Sequence, residues 1–334
     1  ETRKTWMLAN SVWVPEDPKL SHRARGFFLP ALYSPLGWYS WREAAELFEK
    51  SKGRSETLRV FINTVLGETF TESGEAPEWK TLYNRRERYT IGIVPKGAVV
   101  LTAGFDIQKD RIEGEVVGWG AGLESWSVDY RVFPGDPAST DDPWKLLRAW
   151  LSTTYKHASG VHLRVRMTAI DTGYATQRAY AFVRSFSANK VIAVKGTDSM
   201  SVLVAQPKAV DVQEGKRRLS RGLHVYMVGT DQAKQELYGL LRIVQPEHPE
   251  RDGWPAGYCH FPDYPDEYFQ QLCAEQLVPR MVRGYRRYQW EKIRERNEAR
   301  DCRNSARAAA EVIGRARWRD EHWAHAKATL AGEV

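Results

Sequence analysis

A mixed-sheet α/β fold is what this sequence predicts, on three observations. From Ala98 onward three consecutive segments read as strands, AVVLTAGFDI, RIEGEVVGW and ESWSVDYRVF. They are rich in β-branched and aromatic residues and are separated by short turns at Gln108-Lys109-Asp110 and Gly120-Ala121-Gly122. Connections this short predict antiparallel neighbours. The pattern then alternates, with a helix over about 143–155, a strand RVRMTAID ending at Asp171, a helix over about 175–187 and a strand KVIAVKG. Strand-helix-strand alternation predicts parallel strands added to the same sheet. At 334 residues, 42% of them hydrophobic, the chain is long enough to bury a core of this kind and suggests two domains.

The remaining elements follow in order. Residues 1–75 hold an aromatic-rich stretch, LPALYSPLGWYSW, and a helix from Trp41 to Ser51 with apolar residues at helical spacing. Residues 73–97 mix Pro, Glu and Arg and read as a linker, dividing the chain into 1–90 and 91–334. Beyond the alternating segment, the basic run Lys216 to Arg221 leads into a strand, Leu223 to Val228, and a helix from about Asp231 to Leu241. A basic helix over about 290–313 is the last long element. Three antiparallel strands extended by parallel ones, with helices on both faces, describe a ribonuclease H-like sheet.

Composition excludes some functions and favours others. No apolar run approaches the ~18 residues that span a bilayer, so a membrane protein is not expected. The chain opens on Glu1 with no charged-then-apolar leader, as a fragment or processed product would. Cys259, Cys273 and Cys302 form no C-x-x-C pair, which argues against a disulfide framework or a cysteine zinc site and fits a reducing cytoplasm. The net charge is +7 and the pI about 9.2. Fourteen basic and eight acidic residues fall between Gln276 and Val334, so most of the positive field is C-terminal and points to a polyanionic partner.

Four acids stand out. Asp106 ends an almost wholly apolar strand, where an ionised carboxylate needs a partner or a cation. A turn over 108–111 sets it opposite Glu113, and like charges opposite each other repel unless a divalent metal lies between them. The plainer alternative is a solvent-lining hairpin acid. Asp171 stands at the carboxyl end of a strand, where open α/β sheets collect ligands, or else caps the helix that follows. Asp301 falls on a helical stripe with Ile293, Asn297, Ser305, Ala308 and Val312, with an ion pair to Arg300 or Arg303 as the alternative. Together these acids make an all-oxygen set suited to Mg²⁺ or Mn²⁺, and two such ions hydrolyse phosphodiesters. Asp-Thr-Gly at 171–173 also occurs in aspartic proteases, but no second copy is present to complete a carboxylate pair.

Several segments resemble the large terminase subunit of tailed double-stranded DNA phages, of the lambda-type GpA family: FLPALYSPLGWYSW, FINTVLGETF, LTAGFDIQKDRIEGEVVGWGAGLESWSVDYRVF, AIDTGYATQRAY, VGTDQAKQELY, HFPDYPDEYFQQL and ERNEARDC. They occur in family order over nearly the whole chain. The resemblance implies a ribonuclease H-like, metal-dependent endonuclease over 91–334, acting on concatemeric double-stranded viral DNA with two Mg²⁺ or Mn²⁺ ions. It implies that residues 1–90 are the end of a packaging ATPase domain plus linker. No G-x-x-x-x-G-K-S/T occurs, so no ATPase activity is expected.

The family's acids fall on Asp106, Glu113, Asp171 and Asp301. Arg300, Asn304, Ser305 and Arg307 depart from its apolar pattern, so a helix less deeply packed is expected there, with Asp263, Asp266 and Glu267 as substitutes for Asp301. Lys195, Lys216, Arg217, Arg218 and Arg221 are the candidate DNA contacts. The implied partners are viral DNA, the terminase small subunit and the procapsid portal, with a homo-oligomer in the full motor, in the host cytoplasm. A non-catalytic DNA-gripping or docking module is the alternative function. His224 and His260 show no ligand spacing and read as structural.

Overall fold

The structure, a computed structural model, describes residues 3–14, 27–51, 57, 60–68, 76–198, 200–214, 217–282, 285–314 and 318–331. The chain divides into two compact units, 1–74 and 75–334.

The first unit is small. It holds helices α1 (Lys4–Ala9) and α2 (Trp41–Ser51) and short turns at Ala31–Tyr33 and Ile62–Leu66. A capping box starts α2: the Glu43 amide donates to Ser40 Oγ at 3.0 Å, and the Ser40 amide donates to Glu43 Oε2 at 2.7 Å. Ala44, Phe61 and Val65 form its core with Leu32 and Tyr39 beside them, while Trp6, Trp13, Phe27 and Trp38 stay exposed.

The second unit opens with helix α3 (Trp79–Asn84), inside the stretch read above as linker. Its Leu82 is buried in an apolar cluster with residues of the C-terminal half, so 76–90 packs with the larger unit and the division falls after Gly74 rather than near 90. Strand β1 (Ile93–Val94) follows, then β2 (Val100–Ile107), β3 (Arg111–Trp119) and β4 (Ser125–Pro134). Helix α4 (Asp142–Leu151), β5 (Thr154–His157), β6 (His162–Asp171), α5 (Thr176–Arg184) and β7 (Val191–Thr197) come next. They lead to β8 (Lys208–Glu214), β9 (Arg217–Gly229), α6 (Thr230–Leu241) and α7 (Pro249–Asp252). The chain closes with β10 (Cys259–His260), α8 (Asp266–Leu272), β11 (Glu275–Val282), β12 (Tyr285–Lys292), α9 (Glu298–Val312) and α10 (Asp320–Ala331).

The main sheet runs β10-β4-β3-β2-β6-β7-β9-β8. β4, β3 and β2 are antiparallel, and β2, β6, β7 and β9 are parallel. This is the ribonuclease H-like order that the three-hairpin-strand and alternating patterns predict. One face, with Phe105, Ile112 and Ile170, packs on α4 and α5 through Trp144, Leu147, Trp150, Phe182 and Val183. The other, with Met167, Ala169, Ile192 and Val194, packs on Ala308 and Ala309 of α9.

Two elements differ from expectation. The basic helix predicted over 290–313 begins at Glu298. Residues 285–292 form an antiparallel ribbon with 275–282 instead, Leu277 opposite Trp290 and Arg280 opposite Arg287. Arg, Glu and Lys are good helix formers, but pairing of a strand rich in Tyr and Trp overrides local propensity. Likewise the basic run at Arg217 lies inside one long strand, because β8 pairs with it from 208 to 214.

Candidate active site

Strand alternation sorts the side chains of β2 onto the two sheet faces. Leu101, Ala103, Phe105 and Ile107 enter the core under α4 and α5. Thr102, Gly104 and Asp106 therefore face α9. The helix comes close at Gly104, where a Cβ would overlap the Cys302 carbonyl oxygen and the Ala306 amide nitrogen. A glycine inside a strand marks such an approach. Thr102 Oγ1 fixes the contact, donating to the Ala306 carbonyl at 2.7 Å and accepting from Trp119 Nε1 at 2.8 Å.

The approach carries Asp301, in the first turn of α9, toward the ends of β2 and β6. The register that pairs Phe105 with Ile170 sets Asp106 and Asp171 at neighbouring parallel strand ends, on the face shared with Ala169. Burial first, and then the negative charges of Asp301, Asp171 and Glu298, push the Asp106 carboxyl up to about 8 against a hydrogen bond from Gln108 Nε2 at 2.6 Å. Asp171 rises to about 6 from burial and from Asp301, against the Gly173 and Thr172 amides and the Lys195 charge. The Gly173 amide donates to Asp171 Oδ1 at 3.2 Å in a local turn, but Ala175 rather than Asp171 stands at the N-cap of α5, so the helix-capping alternative is not what the structure shows. Asp106 and Asp171 thus each feel the charge of another acid, which identifies a functional-site candidate by physical argument.

Glu113 lies opposite Asp106, as the spacing predicts, but its charge is met within the protein. It is fully buried and accepts hydrogen bonds from Arg111 Nε at 2.5 Å, from Arg296 at 2.7 Å and from the Tyr130 hydroxyl. Arg111 also pairs with Glu298 at 2.5 Å. The cross-strand repulsion expected between Asp106 and Glu113 is offset by these two guanidiniums. Glu115, next on the same face, is held the same way by Arg303 at 2.7 Å.

Both oxygens of Asp301 are engaged. Oδ1 accepts from Arg300 at 2.8 and 3.2 Å, and Oδ2 from Asn297 Nδ2 at 2.9 Å. Contrary to the shallow packing that its charged residues suggest, α9 is deeply seated, with Arg300 and Arg303 buried beside a run of alanines. Asp263 pairs with Arg86 at 2.9 Å, Asp266 accepts from the Glu267 amide and from Gln270 at the start of α8, and Glu267 pairs with Arg296 at 3.2 Å. None of the three figures among the main influences on Asp106 or Asp171.

Among the candidate DNA contacts, Lys195 stands one residue beyond Val194, the β7 neighbour of Asp171. Arg218 pairs with Asp211 at 2.6 Å across the β8–β9 hairpin, and the Arg221 amide donates to the same carboxylate at 2.9 Å. Lys216 and the Arg217 side chain lie outside the described residues. His260 is buried between Glu87 at 2.6 Å and Glu124 at 3.0 Å and stacks on Trp126. All three cysteines are buried and free.

The donor chemistry of the three aspartates fits a hard divalent cation: oxygen ligands alone, with Asp106 and Asp171 both raised by burial and by the charge of Asp301. As placed, no three His, Cys, Asp or Glu side chains among the described residues converge tightly enough to ligate one ion. The Arg300 and Asn297 contacts of Asp301 are in keeping with that. The Arg300 ion pair that the sequence offered as the alternative role of Asp301 is present, whereas Gly104, Arg296 and Glu298 were not anticipated. Gly104 carried a readable signal as a glycine within an apolar strand.

Among the described residues no helix is long and apolar enough to cross a membrane. The family model of the terminase large subunit gpA, endonuclease domain, matches residues 24–323. The large terminase subunit of Escherichia phage lambda is 33% identical over 294 residues, 86% of this chain and 43% of that protein. Its counterpart in Enterobacteria phage P21 is 31% identical over 331 residues, 92% of this chain and 48% of that protein. The chain thus spans about half the length of these relatives. No solved structure matches it. On the family model and these two relatives, the chain belongs to the gpA family of terminase large subunits and carries its endonuclease domain.

Proposed function

We propose that this chain is a metal-dependent DNA endonuclease that cuts concatemeric double-stranded viral DNA during packaging, and that Asp106, Asp171 and Asp301 hold its divalent cations. The observation that carries the reading is the gathering of two strand-end aspartates and one helix aspartate on a single sheet face, where burial and the charge of Asp301 raise Asp106 and Asp171, in a chain of an endonuclease family. When bound, two Mg²⁺ or Mn²⁺ ions supply an activated water and stabilise the leaving oxygen of a phosphodiester. The chain's own part is to fix the acids on rigid strands, to exclude water from Asp106 by seating α9 on Gly104, and to present cations such as Lys195 to phosphate.

Glu113 serves this site as the anchor of Arg111 and Arg296, its carboxylate already compensated, rather than as a ligand of equal rank. In the same reading, the unit 1–74 is the end of a packaging ATPase domain, and this chain hydrolyses no ATP by itself. Its partners are the terminase small subunit and the procapsid portal, with self-association in the complete motor, inside the host cell.

Nicking of supercoiled plasmid tests the activity. The expected result is cutting in Mg²⁺ or Mn²⁺ that stops in EDTA and in a folded Asp171→Asn protein. A wild-type chain that binds DNA and cuts under none of these conditions would favour the gripping or docking module.

A further inference from the structure

Asp301 has a counter-ion inside the protein. The Arg300 guanidinium, 2% exposed, contacts Asp301 Oδ1 at 2.8 Å and Glu275 Oε2 at 2.9 Å. Glu275, the first residue of β11, is itself held by Lys234 of α6 at 2.7 Å. Lys234, Glu275, Arg300 and Asp301 therefore form one alternating line of charge running from α6 through the ribbon to the acid cluster. Three of its members are largely buried, so their mutual interactions are weakly screened. A guanidinium stays charged at any accessible pH, so this contact does not switch off by losing its proton.

Two positive groups cannot share one carboxylate oxygen at full strength. A divalent cation ligated by Asp301 must therefore draw Oδ1 away from Arg300 or accept a like charge beside it. We propose that Arg300, anchored by Glu275, is a positioning residue that serves as the built-in counter-ion of Asp301: it holds that carboxylate in the metal-free protein and lowers the cation affinity of the site. This rests on the metal reading above and adds its regulation, because affinity becomes tunable from the β11–β12 ribbon through Glu275. The sign follows from charge alone. Removing the Arg300 charge strengthens cation binding, whereas removing the Glu275 charge leaves Arg300 and Lys234 less compensated and weakens it. Simple structural damage would weaken binding in both variants.

The test uses the full chain and two readouts. In EDTA, thermal unfolding of wild type, Arg300→Met, Asp301→Asn and the double variant forms a cycle. Arg300→Met lowers the midpoint, and adding Asp301→Asn restores much of the loss if the two groups are partners. Additive effects would overturn the counter-ion role, whether or not the site binds metal. In Mn²⁺, calorimetric titration is expected to show affinity about tenfold higher in Arg300→Met and several-fold lower in Glu275→Gln than in wild type. Equal or weaker binding in Arg300→Met overturns the proposal, and should that variant not fold, unchanged or tighter binding in Glu275→Gln does so. Coupling in EDTA with no Mn²⁺ binding in any protein would leave the counter-ion in place and overturn its effect on affinity together with the metal reading.

Discussion

Asp106 is the residue at which stability and function pull apart. Its carboxyl is raised from the ordinary 3.8 to about 8 by burial and by neighbouring acids, so the folded state holds this proton more tightly than the unfolded chain. The resulting contribution to stability is fully present below about pH 4 and is lost as pH rises through 8. In the metal-free protein at pH 8–9, Asp106→Asn is therefore expected to stabilise the fold by as much as several kcal/mol, and at pH 4 to change it little. Urea unfolding in EDTA across this range measures the difference. A variant no more stable than wild type at pH 9 would mean that the Asp106 charge is already compensated. Glu113 shows the contrast: an equally buried acid on the same face, but with two arginines and a tyrosine hydroxyl around it.

Helix α9 and strand β2 form the element pair on which the site depends. Their closest approach is at Gly104, with no room for a methyl group. Gly104→Ala is expected to cost about 1–3 kcal/mol by forcing the helix away from the strand, and to reduce nicking even though no acid has changed. Denaturation midpoints and plasmid cutting measured side by side check this, and unchanged values for both would contradict close packing of α9 on β2.

The same pair shows how far the sequence was readable. Local patterns sufficed for β2, β3 and β4, and with them the opposition of Asp106 and Glu113, because a hairpin register is set by its turn and by strand alternation. They also located Asp171, since a strand-to-helix boundary is a local event. The start of α9 was not legible. Residues 285–292 have a composition that suits a helix, and their strand state comes from pairing with 275–282. Nor could the sequence foretell that Arg300 and Arg303 are buried: charged side chains enter a core where distant acids, here Glu275 and Glu115, await them.

On the scale of the whole molecule, the fold brings together acids separated by almost 200 positions in the chain, on strands of a ribonuclease H-like sheet and on the helix across its face. The net charge of +7 is of the sign that the proposed DNA substrate calls for. Segment 1–74 is a separate compact unit with a small core. Asp106, Asp171 and Asp301 are proposed to hold a divalent cation together. The most direct measurement is calorimetric titration of Mn²⁺ into wild type and into folded Asp106→Asn, Asp171→Asn, Asp301→Asn and Glu113→Gln proteins. Saturable binding is expected in wild type, lost in each aspartate variant and kept in Glu113→Gln. Binding that survives in all three aspartate variants would contradict a shared site.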